Sequence, residues 1–340
     1  MELLNRKKTG KVERPVKVLQ FGEGNFLRAF VDYMIDIANE QGKFNGDIVL
    51  VKPIEFGSLD RFHDQECQYT VQLRGIVDGE PKRINRIVTS VADAVDAYGE
   101  YQKYADYAKL DSLRYIVSNT TEAGIVYDDT DRLEMEPPKS YPGKLTKFLY
   151  ERYKHFNGAM DKGLVMLPVE LIDDNGIHLK ECVEKLAVLW NLEDGFKTWL
   201  DEACVFTSTL VDRIVTGYPR DEAEELCKEF GYQDNLIVTG EPFALWVIES
   251  AKDISKEFPL PDAGLPVIFT DNQKPYKQRK VRILNGAHTS FVLASYLCGN
   301  DIVLESMQDE LIFNFMKATI FDEVIPTLTL PKQDLIDFAE

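Results

Sequence analysis

"VLQFGEGNFLRAF", residues 18–30, joins a β-rich run (16–22) to a pattern of apolar residues at helical spacing (25–42). In a dinucleotide-binding fold, a first glycine makes the tight turn after the strand and a second lets a pyrophosphate approach the backbone at the helix N-terminus. Gly22 and Gly24 stand at those positions, and Leu27 replaces a third glycine. The alternative is an ordinary strand–helix turn. We take Phe21, Gly22, Gly24, Asn25 and Phe26 as candidate cofactor contacts.

The remaining chain alternates buried-type strands with helical patterns up to about residue 277 and is helical from there on. Strand–helix–strand alternation with short links predicts an α/β fold with a parallel sheet. We therefore expect a Rossmann-like dinucleotide-binding domain over 1–272, followed by a mostly α-helical domain over 273–340. The boundary lies near "DNQKPYKQ" (271–278). The last residues resemble the opening turns of another helix, so we expect the helical domain to be truncated.

Composition argues against several classes of function. A formal net charge of −18 argues against nucleic-acid binding and against docking on anionic lipid, since both need clusters of Lys and Arg. The five cysteines are scattered and show no metal-ligand spacing. That pattern indicates reduced thiols in a cytoplasmic protein without a metal site.

The end of the second strand departs from the dinucleotide pattern. An Asp or Glu there would bind the adenosine ribose, but "IVLVKPI" ends in Lys52 and Pro53. Lys52 could favour a 2′-phosphate, contact the ribose, or face solvent. One lysine does not decide between NAD and NADP.

"KVRILNGAHTSFV", residues 280–292, predicts a largely buried helix that carries Lys280, Asn285 and His288. Burying unpaired polar groups is costly, so the three side chains suggest a site. When a hydride reduces a ketone, an ammonium can protonate the oxygen, an amide can hold it, and an imidazole can orient a hydroxyl. The competing interpretation is a surface lysine, a capping asparagine and a core histidine. Gly286 and Ala287 leave room for a ligand.

The spacing Lys280-x4-Asn285-x2-His288 resembles the signature of the mannitol dehydrogenase family, which comprises long-chain polyol dehydrogenases that need no metal. Other segments resemble it in order: "FGEGNFLRAF" (21–30), "SNTTEAG" (118–124), "VDRIVTGYP" (211–219) and "EPFALWVIE" (241–249). The resemblance runs from about residue 16 to the end, and "LPVELIDDNG" (167–176) is most similar to the branch that acts on hexuronates.

This resemblance implies NAD-linked interconversion of a ketose and its sugar alcohol or aldonate, for this branch D-tagaturonate and D-altronate. It implies Lys280 as general acid and base, Asn285 as the ligand of the reacting oxygen, and His288 as a positioning group. Asp212 and Arg213 are implied substrate contacts, although Asp212 could simply pair with Arg213. Thr121 and Glu122 are implied to lie near the nicotinamide.

Two departures from the family pattern leave alternatives open. Glu170 and Leu171 stand where mannitol-type members carry an Asp-Asn pair whose asparagine also holds the oxygen. Relatives of this family also continue well beyond residue 340. The alternatives are therefore a fructuronate or mannitol-type oxidoreductase, or a nucleotide-binding protein without turnover. The partner we expect is a small sugar acid, and the sequence leaves the oligomeric state open.

Overall fold

A computed structural model describes residues 1–77, 79–121 and 123–340. Glu122, a predicted cofactor contact, lies outside the described residues. The chain divides into two compact units, Met1–Asp271 and Asn272–Glu340. The assignment of these units to cofactor and substrate binding stays a prediction.

Short β-rich runs form the strands of the first unit, as the alternation predicts. In chain order they are β1 (Val16–Phe21), β2 (Asp47–Lys52), β3 (Tyr69–Val77), β4 (Glu80–Val88), β5 (Val91–Asp96), β6 (Tyr115–Ser118), β7 (Val165–Pro168), β8 (Val205–Phe206), β9 (Ser208–Asp212), β10 (Val215–Gly217), β11 (Val238–Gly240), β12 (Leu245–Glu249) and β13 (Val267–Thr270).

The central sheet is parallel, with strand order β5-β2-β1-β6-β7-β8. The order reverses beside β1, so the chain crosses to opposite sides of the sheet there. A parallel sheet of this kind binds ligands outside the carboxyl ends of its strands, at the point of reversal. The predicted α/β fold with a Rossmann-like domain is confirmed.

Both faces of the central sheet are buried, which explains why its strands read as continuous apolar runs. Every residue of β2 is buried. Ile48 and Leu50 pack into one core cluster, whereas Val49 and Val51 pack into the other. This alternation follows from the two-residue period of a strand.

Two smaller sheets complete the first unit. β3 and β4 form the predicted antiparallel hairpin, in a sheet of order β10-β11-β3-β4. The other sheet has the order β13-β12-β9. These sheets carry the segments 211–219 and 241–249 that resemble the family.

The helices of the first unit are α1 (Arg6–Thr9), α2 (Asn25–Leu27), α3 (Tyr33–Glu40), α4 (Asp60–Asp64), α5 (Tyr101–Asp106), α6 (Tyr141–His155), α7 (Asn175–Leu189), α8 (Asp194–Glu202) and α9 (Ala223–Phe230). A π-helical turn, Arg28–Asp32, joins α2 to α3 without a break in helical backbone angles. Ser140 caps α6, because its hydroxyl accepts a hydrogen bond from the backbone N–H of Gly143 at 2.9 Å.

The second unit is helical. Its helices are α10 (Lys274–Arg279), α11 (Gly286–Leu297), α12 (Val303–Gln308), α13 (Glu310–Ala318) and α14 (Lys332–Ala339), with π-helical turns at Lys280–Asn285 and Thr319–Val324. A small core of Ile283, Ile320, Ile325 and Leu335 holds it together. Within the described ranges, no helix of either unit has the length and apolar character required to cross a bilayer.

Candidate active site

The glycine loop follows β1 and leads directly into α2. Gly22 has φ +118, and an added Cβ there would lie 3.1 Å from the Asn119 carbonyl oxygen and 3.1 Å from Leu27 Cδ1. A side chain at this position would therefore be strained and crowded. The backbone conformation and the close packing of the turn therefore require glycine at position 22.

Gly24 differs from Gly22 in this respect. Its φ of −66 is open to any residue, and an added Cβ would meet no protein atom within 4 Å. Neither the backbone conformation nor the packing of this position therefore requires a glycine. It leaves open space beside the start of a helix, where backbone N–H groups and the helix dipole favour an anion. These features fit a bound pyrophosphate.

Arg28 fixes the glycine loop from behind. Its Nε donates to the Glu23 carbonyl at 3.1 Å, Nη2 donates to Asn25 Oδ1 at 2.6 Å, and Nη1 donates to the Leu236 carbonyl at 2.6 Å. The side chain is 7% exposed. Burial lowers the pKa of Arg28, which nearby Tyr69 and acidic groups oppose. The buried Arg28 guanidinium thus joins the glycine loop to the backbone just before β11.

Two predicted aromatic contacts of the loop have packing roles. Phe21 is fully buried, with ring contacts to Tyr104 and Tyr141, so its side chain faces the core and not a ligand. Phe26 is partly buried and stacks on Phe30, with ring centroids 5.0 Å apart. Asn25, in contrast, is exposed at the start of α2.

Lys52 is almost completely buried at the carboxyl end of β2, so of the three alternatives left open for it, contact with solvent does not hold. Its ammonium donates to the Ile54 carbonyl at 2.7 Å and pairs with Asp96 Oδ2 at 3.0 Å. Asp96 ends β5 and is paired in register with Lys52. The sequence could not reveal this ion pair, because it depends on which strand lies next to β2.

A cavity of about 620 Å³ lies between the carboxyl ends of β2 and β6. It is lined by Pro53 and Ile54 after β2 and by Thr120 and Thr121 after β6, among others. Thr121 has φ +97, an unusual conformation for a β-branched residue and one that concentrates at functional sites. The predicted cofactor contact Thr121 therefore lies at this cavity.

Glu170 holds the segment that lines the cavity. One carboxylate oxygen accepts hydrogen bonds from the Thr120 backbone N–H at 3.0 Å and its hydroxyl at 2.9 Å, and the other accepts from Ser118 Oγ at 3.1 Å. Burial raises the pKa of Glu170, which these hydrogen bonds oppose. Leu171 beside it is 65% exposed. Glu170 therefore takes a supporting role.

Asp212 and Arg213 follow each other at the end of β9. Asp212 is partly buried, whereas Arg213 is 8% exposed and donates to the carbonyls of Ala29 at 2.6 Å, Phe243 at 3.0 Å and Pro242 at 3.1 Å. These bonds use the guanidinium for packing within the first unit. They hold Arg213 within the first unit, and the substrate contact predicted for it stays a prediction.

The segment with Lys280, Asn285 and His288 is less buried than predicted. Asn285 is exposed and the other two are partly buried, whereas Ile283 and Phe291 are buried. The three polar groups therefore avoid the cost of full burial.

The helix also differs in its winding, since Lys280–Asn285 form a π-helical turn before α11. At about 4.4 residues per turn, a five-residue step turns through about 50° beyond one full turn, compared with about 140° in an α-helix. The π turn thus brings Lys280 and Asn285 closer to one face. Asn285 and His288 are three residues apart and share a face at α-helical spacing.

The His288 ring has a defined orientation. Its Nδ1 lies 3.0 Å from the Leu284 carbonyl oxygen. Since a carbonyl only accepts, Nδ1 carries the hydrogen, and in the neutral ring Nε2 is left as an acceptor. His288 is thus suited to accept a hydrogen bond from a hydroxyl group.

Comparisons with known proteins agree with this geometry. A family model described as "Mannitol dehydrogenase Rossmann domain" matches residues 16–261, and "Mannitol dehydrogenase C-terminal domain" matches residues 272–340. The chain belongs to the mannitol dehydrogenase family. The resemblance inferred from the sequence is confirmed.

Curated members of this family resemble the chain along its whole length. Altronate oxidoreductases of Phocaeicola vulgatus and Bacteroides thetaiotaomicron are 44% and 45% identical over 340 residues, covering 100% of this chain and 71% of each relative. The altronate oxidoreductase of Pectobacterium atrosepticum is 47% identical over 341 residues, covering 100% of the chain and 70% of that relative.

Two solved structures share the fold. Pseudomonas fluorescens mannitol 2-dehydrogenase, in ternary complex with NAD and D-mannitol, gives a TM-score of 0.77 at 23% identity, covering 100% of this chain and 74% of that one. D-sorbitol dehydrogenase in substrate-free form gives 0.80 at 21% identity, covering 99% and 75%. At this identity the likeness concerns the fold alone.

Sequence reasoning missed several residues that shape the candidate site. Arg28 was visible only as one more residue of a helix, and Asp96 reaches the site through a strand neighbour distant in sequence. Glu170 was noted as a departure from the family pattern, but its supporting role depends in the same way on strand pairing. The π turn at Lys280 leaves no periodic signal in so short a segment. The one available signal for Asp96 was Lys52, because a lysine at the end of a buried-type strand needs an acidic partner.

Proposed function

We propose that this protein is an NAD-dependent oxidoreductase that interconverts D-tagaturonate and D-altronate. The observation that carries the proposal is the 44–47% identity to altronate oxidoreductases over the full chain. The polyol dehydrogenases that share the fold are only 21–23% identical. A hexuronate therefore has better support than mannitol or sorbitol as the substrate.

The first unit supplies the cofactor site of this proposal. Gly24 leaves space for the pyrophosphate, Gly22 makes the turn, and Arg28 holds the loop. A structural neighbour bound to NAD supports the choice of cofactor. NADH, when bound, supplies the hydride for the ketone carbon.

Lys280 is the proposed general acid of ketone reduction and the base of the reverse reaction. Its ammonium donates the proton that the developing alkoxide needs. Asn285 donates its amide N–H to the same oxygen and stabilises the growing charge. The π turn supports this pairing, because it brings both residues closer to one face.

One further hydroxyl contact is proposed in each unit, His288 in the second and Asp212 in the first. His288 Nε2 accepts a hydrogen bond from a substrate hydroxyl, since its Nδ1 is engaged with the Leu284 carbonyl at 3.0 Å. Asp212 is a second candidate acceptor for a hydroxyl at the end of β9. Thr121 lines the cavity of the first unit.

NADH oxidation by the purified full chain tests this function. D-Tagaturonate, D-fructuronate and D-fructose are compared in parallel by the loss of NADH absorbance, and altronate is identified as product by chromatography. We expect the largest kcat/KM with D-tagaturonate. A preference for fructuronate or fructose would contradict the substrate assignment, and NADH binding without turnover on any of them would contradict the enzymatic one.

A cytoplasmic location belongs to the same proposal. The five cysteines are free, and Cys67, Cys182, Cys204 and Cys227 are buried. Free thiols fit a reducing compartment.

A further inference from the structure

The carboxyl end of β2 has no acidic residue for the ribose, but a carboxylate reaches this end of the sheet from the next strand. Lys52 and Asp96 are paired in register at the ends of β2 and β5. Phe21, which precedes the glycine loop, is paired with Val51. The strand that ends in Asp96 therefore stops at the same level as the glycine loop. It lies about two strand spacings, roughly 10 Å, to the side of β1.

Electrostatic contacts also link the loop to this ion pair. Glu23 lies between the two loop glycines, and its carboxylate interacts with Lys52, Arg28 and Asp96. Pro53 and Ile54, which follow Lys52, line the cavity of about 620 Å³. The Lys52–Asp96 pair thus lies beside the region where the adenosine half of a dinucleotide extends from its phosphates.

Lys52 has no hydrogen left for a phosphate. Its ammonium has three hydrogens, and four oxygens lie within reach: the carbonyls of Ile54 at 2.7 Å, Glu55 at 3.4 Å and Phe56 at 3.4 Å, and Asp96 Oδ2 at 3.0 Å. A 2′-phosphate would have to displace these partners.

Asp96, in contrast, keeps capacity to accept a hydrogen bond. A carboxylate has about four lone-pair sites, and the backbone N–H of Tyr98 and the Lys52 ammonium use two of them. The side chain is 27% exposed. Although burial acts to raise it, these hydrogen bonds leave the pKa of Asp96 below its ordinary value.

We propose that Asp96 accepts a hydrogen bond from the 2′-hydroxyl of the adenosine ribose of NAD and thereby makes the protein selective for NAD over NADP. The inference rests on NAD as the cofactor of the proposed function. The carboxylate binds a hydroxyl and repels a 2′-phosphate, so one residue supplies both attraction and rejection. The neighbouring strand thus replaces the acid that β2 lacks.

Isothermal titration of the full chain with NAD⁺, 2′-deoxy-NAD⁺ and NADP⁺ tests the proposal without turnover. We expect wild type to bind NAD⁺ about 10-fold to 100-fold more tightly than 2′-deoxy-NAD⁺, because a hydrogen bond to a charged acceptor is lost. Asp96→Asn should bind those two ligands nearly equally and should bind NADP⁺ more tightly than wild type, because the repulsion is gone.

Two matched variants identify the carboxylate. Glu100→Gln removes a charge next to Asp96, whose backbone N–H donates to Glu100 Oε2 at 3.2 Å, and should leave the NAD⁺ to 2′-deoxy-NAD⁺ ratio unchanged. Glu23→Gln removes the rival carboxylate of the loop and should also retain it. A ratio near one in wild type, or a ratio that survives Asp96→Asn or disappears in Glu23→Gln, would overturn the proposal.

The ligand comparison in wild type stands even if Asp96→Asn does not fold, as judged by circular dichroism. In that case a ratio of 10 or more that both control variants retain supports Asp96, and a ratio near one refutes it. Absence of NAD⁺ binding to folded wild type would instead contradict the proposed function, so the two failures are distinguishable.

Discussion

Replacing Arg28 with methionine tests whether this buried cation holds the glycine loop. Methionine keeps an apolar stem against Phe62 and Tyr69, whose ring centroids lie 5.5 Å and 5.3 Å from the guanidinium carbon. It removes the three hydrogen bonds to Glu23, Asn25 and Leu236. The variant thus separates the bonds from the packing.

The size of the effect follows from the burial of each acceptor. The Leu236 carbonyl bond is fully buried, and its loss costs about 1–3 kcal/mol. The other two bonds are partly buried, so water replaces part of each and about 0.5–1.5 kcal/mol is lost per bond. Relief of the desolvation of Arg28 offsets some of this. We expect a net loss of about 3 kcal/mol in the free energy of unfolding.

Urea unfolding with linear extrapolation measures the stability, and quenching of tryptophan fluorescence by NADH measures the affinity. Besides the lost stability, we expect NADH to bind about 10-fold more weakly, because the loop backbone at Glu23 is released. Arg83→Met is the matched control, since its ion pair to Glu229 is about half exposed on both sides and contributes at most about 1 kcal/mol. A loss below about 0.5 kcal/mol with unchanged NADH affinity in Arg28→Met would refute the anchoring role.

Three further predictions concern the two glycines, a buried carboxyl and the proposed oxyanion ligand. Gly24→Val should leave the unfolding midpoint in urea nearly unchanged, since a Cβ at this position meets no protein atom within 4 Å, but it should weaken NADH binding at least about 10-fold. Gly22→Ala, at φ +118, should instead cost about 1–3 kcal/mol of stability. Equal effects of the two changes on NADH affinity and stability would contradict the phosphate-loop assignment. Burial raises the pKa of Asp32 to about 7. Between about pH 4 and pH 7 the folded state therefore keeps a proton that the unfolded state loses. The free energy of unfolding falls as pH rises through that range, by at most about 4 kcal/mol. Asp32→Asn keeps an acceptor for the Tyr69 hydroxyl, now 2.6 Å from Asp32 Oδ2, and should flatten this slope in urea titrations at pH 5, 6, 7 and 8; an unchanged slope would contradict it. Asn285→Ala should lower kcat about 10²–10³-fold with D-tagaturonate while NADH affinity is retained, and a near-normal kcat would exclude it as the oxyanion ligand.

The fold was predictable because its signals are local. The β-rich run before Gly22, the helical period after it, and the strand–helix alternation up to about residue 277 each depend on neighbouring residues. Gly22 could also be interpreted from its position, since a tight turn after a strand needs a positive φ. These features predicted the parallel sheet without any knowledge of strand order.

The candidate site was only partly predictable, because its supporting contacts join residues distant in sequence. Lys52 was recognised as unusual, but its partner Asp96 depends on β5 lying next to β2. Glu170 was noted as a departure from the family, whereas its hydrogen bonds to Ser118 and Thr120 follow from the pairing of β6 with β7.

Local sequence also misled in two places. The apolar residues around Lys280 suggested burial, but Asn285 is exposed. The same segment contains a π turn, which a 3.6-residue period does not anticipate. Arg213 was predicted only as a substrate contact, and the sequence did not indicate that three backbone carbonyls accept its hydrogen bonds.

The central claim is that Lys280 supplies the proton in an NADH-dependent ketone reduction. Single-turnover oxidation of bound NADH by D-tagaturonate, followed in wild type and in Lys280→Ala by stopped-flow fluorescence, tests it most directly, with Lys277→Ala as a control from the same segment. We expect Lys280→Ala to lower the single-turnover rate about 10²–10⁴-fold with unchanged NADH affinity, and Lys277→Ala to stay within a few-fold of wild type. A rate in Lys280→Ala close to that of wild type would contradict the account.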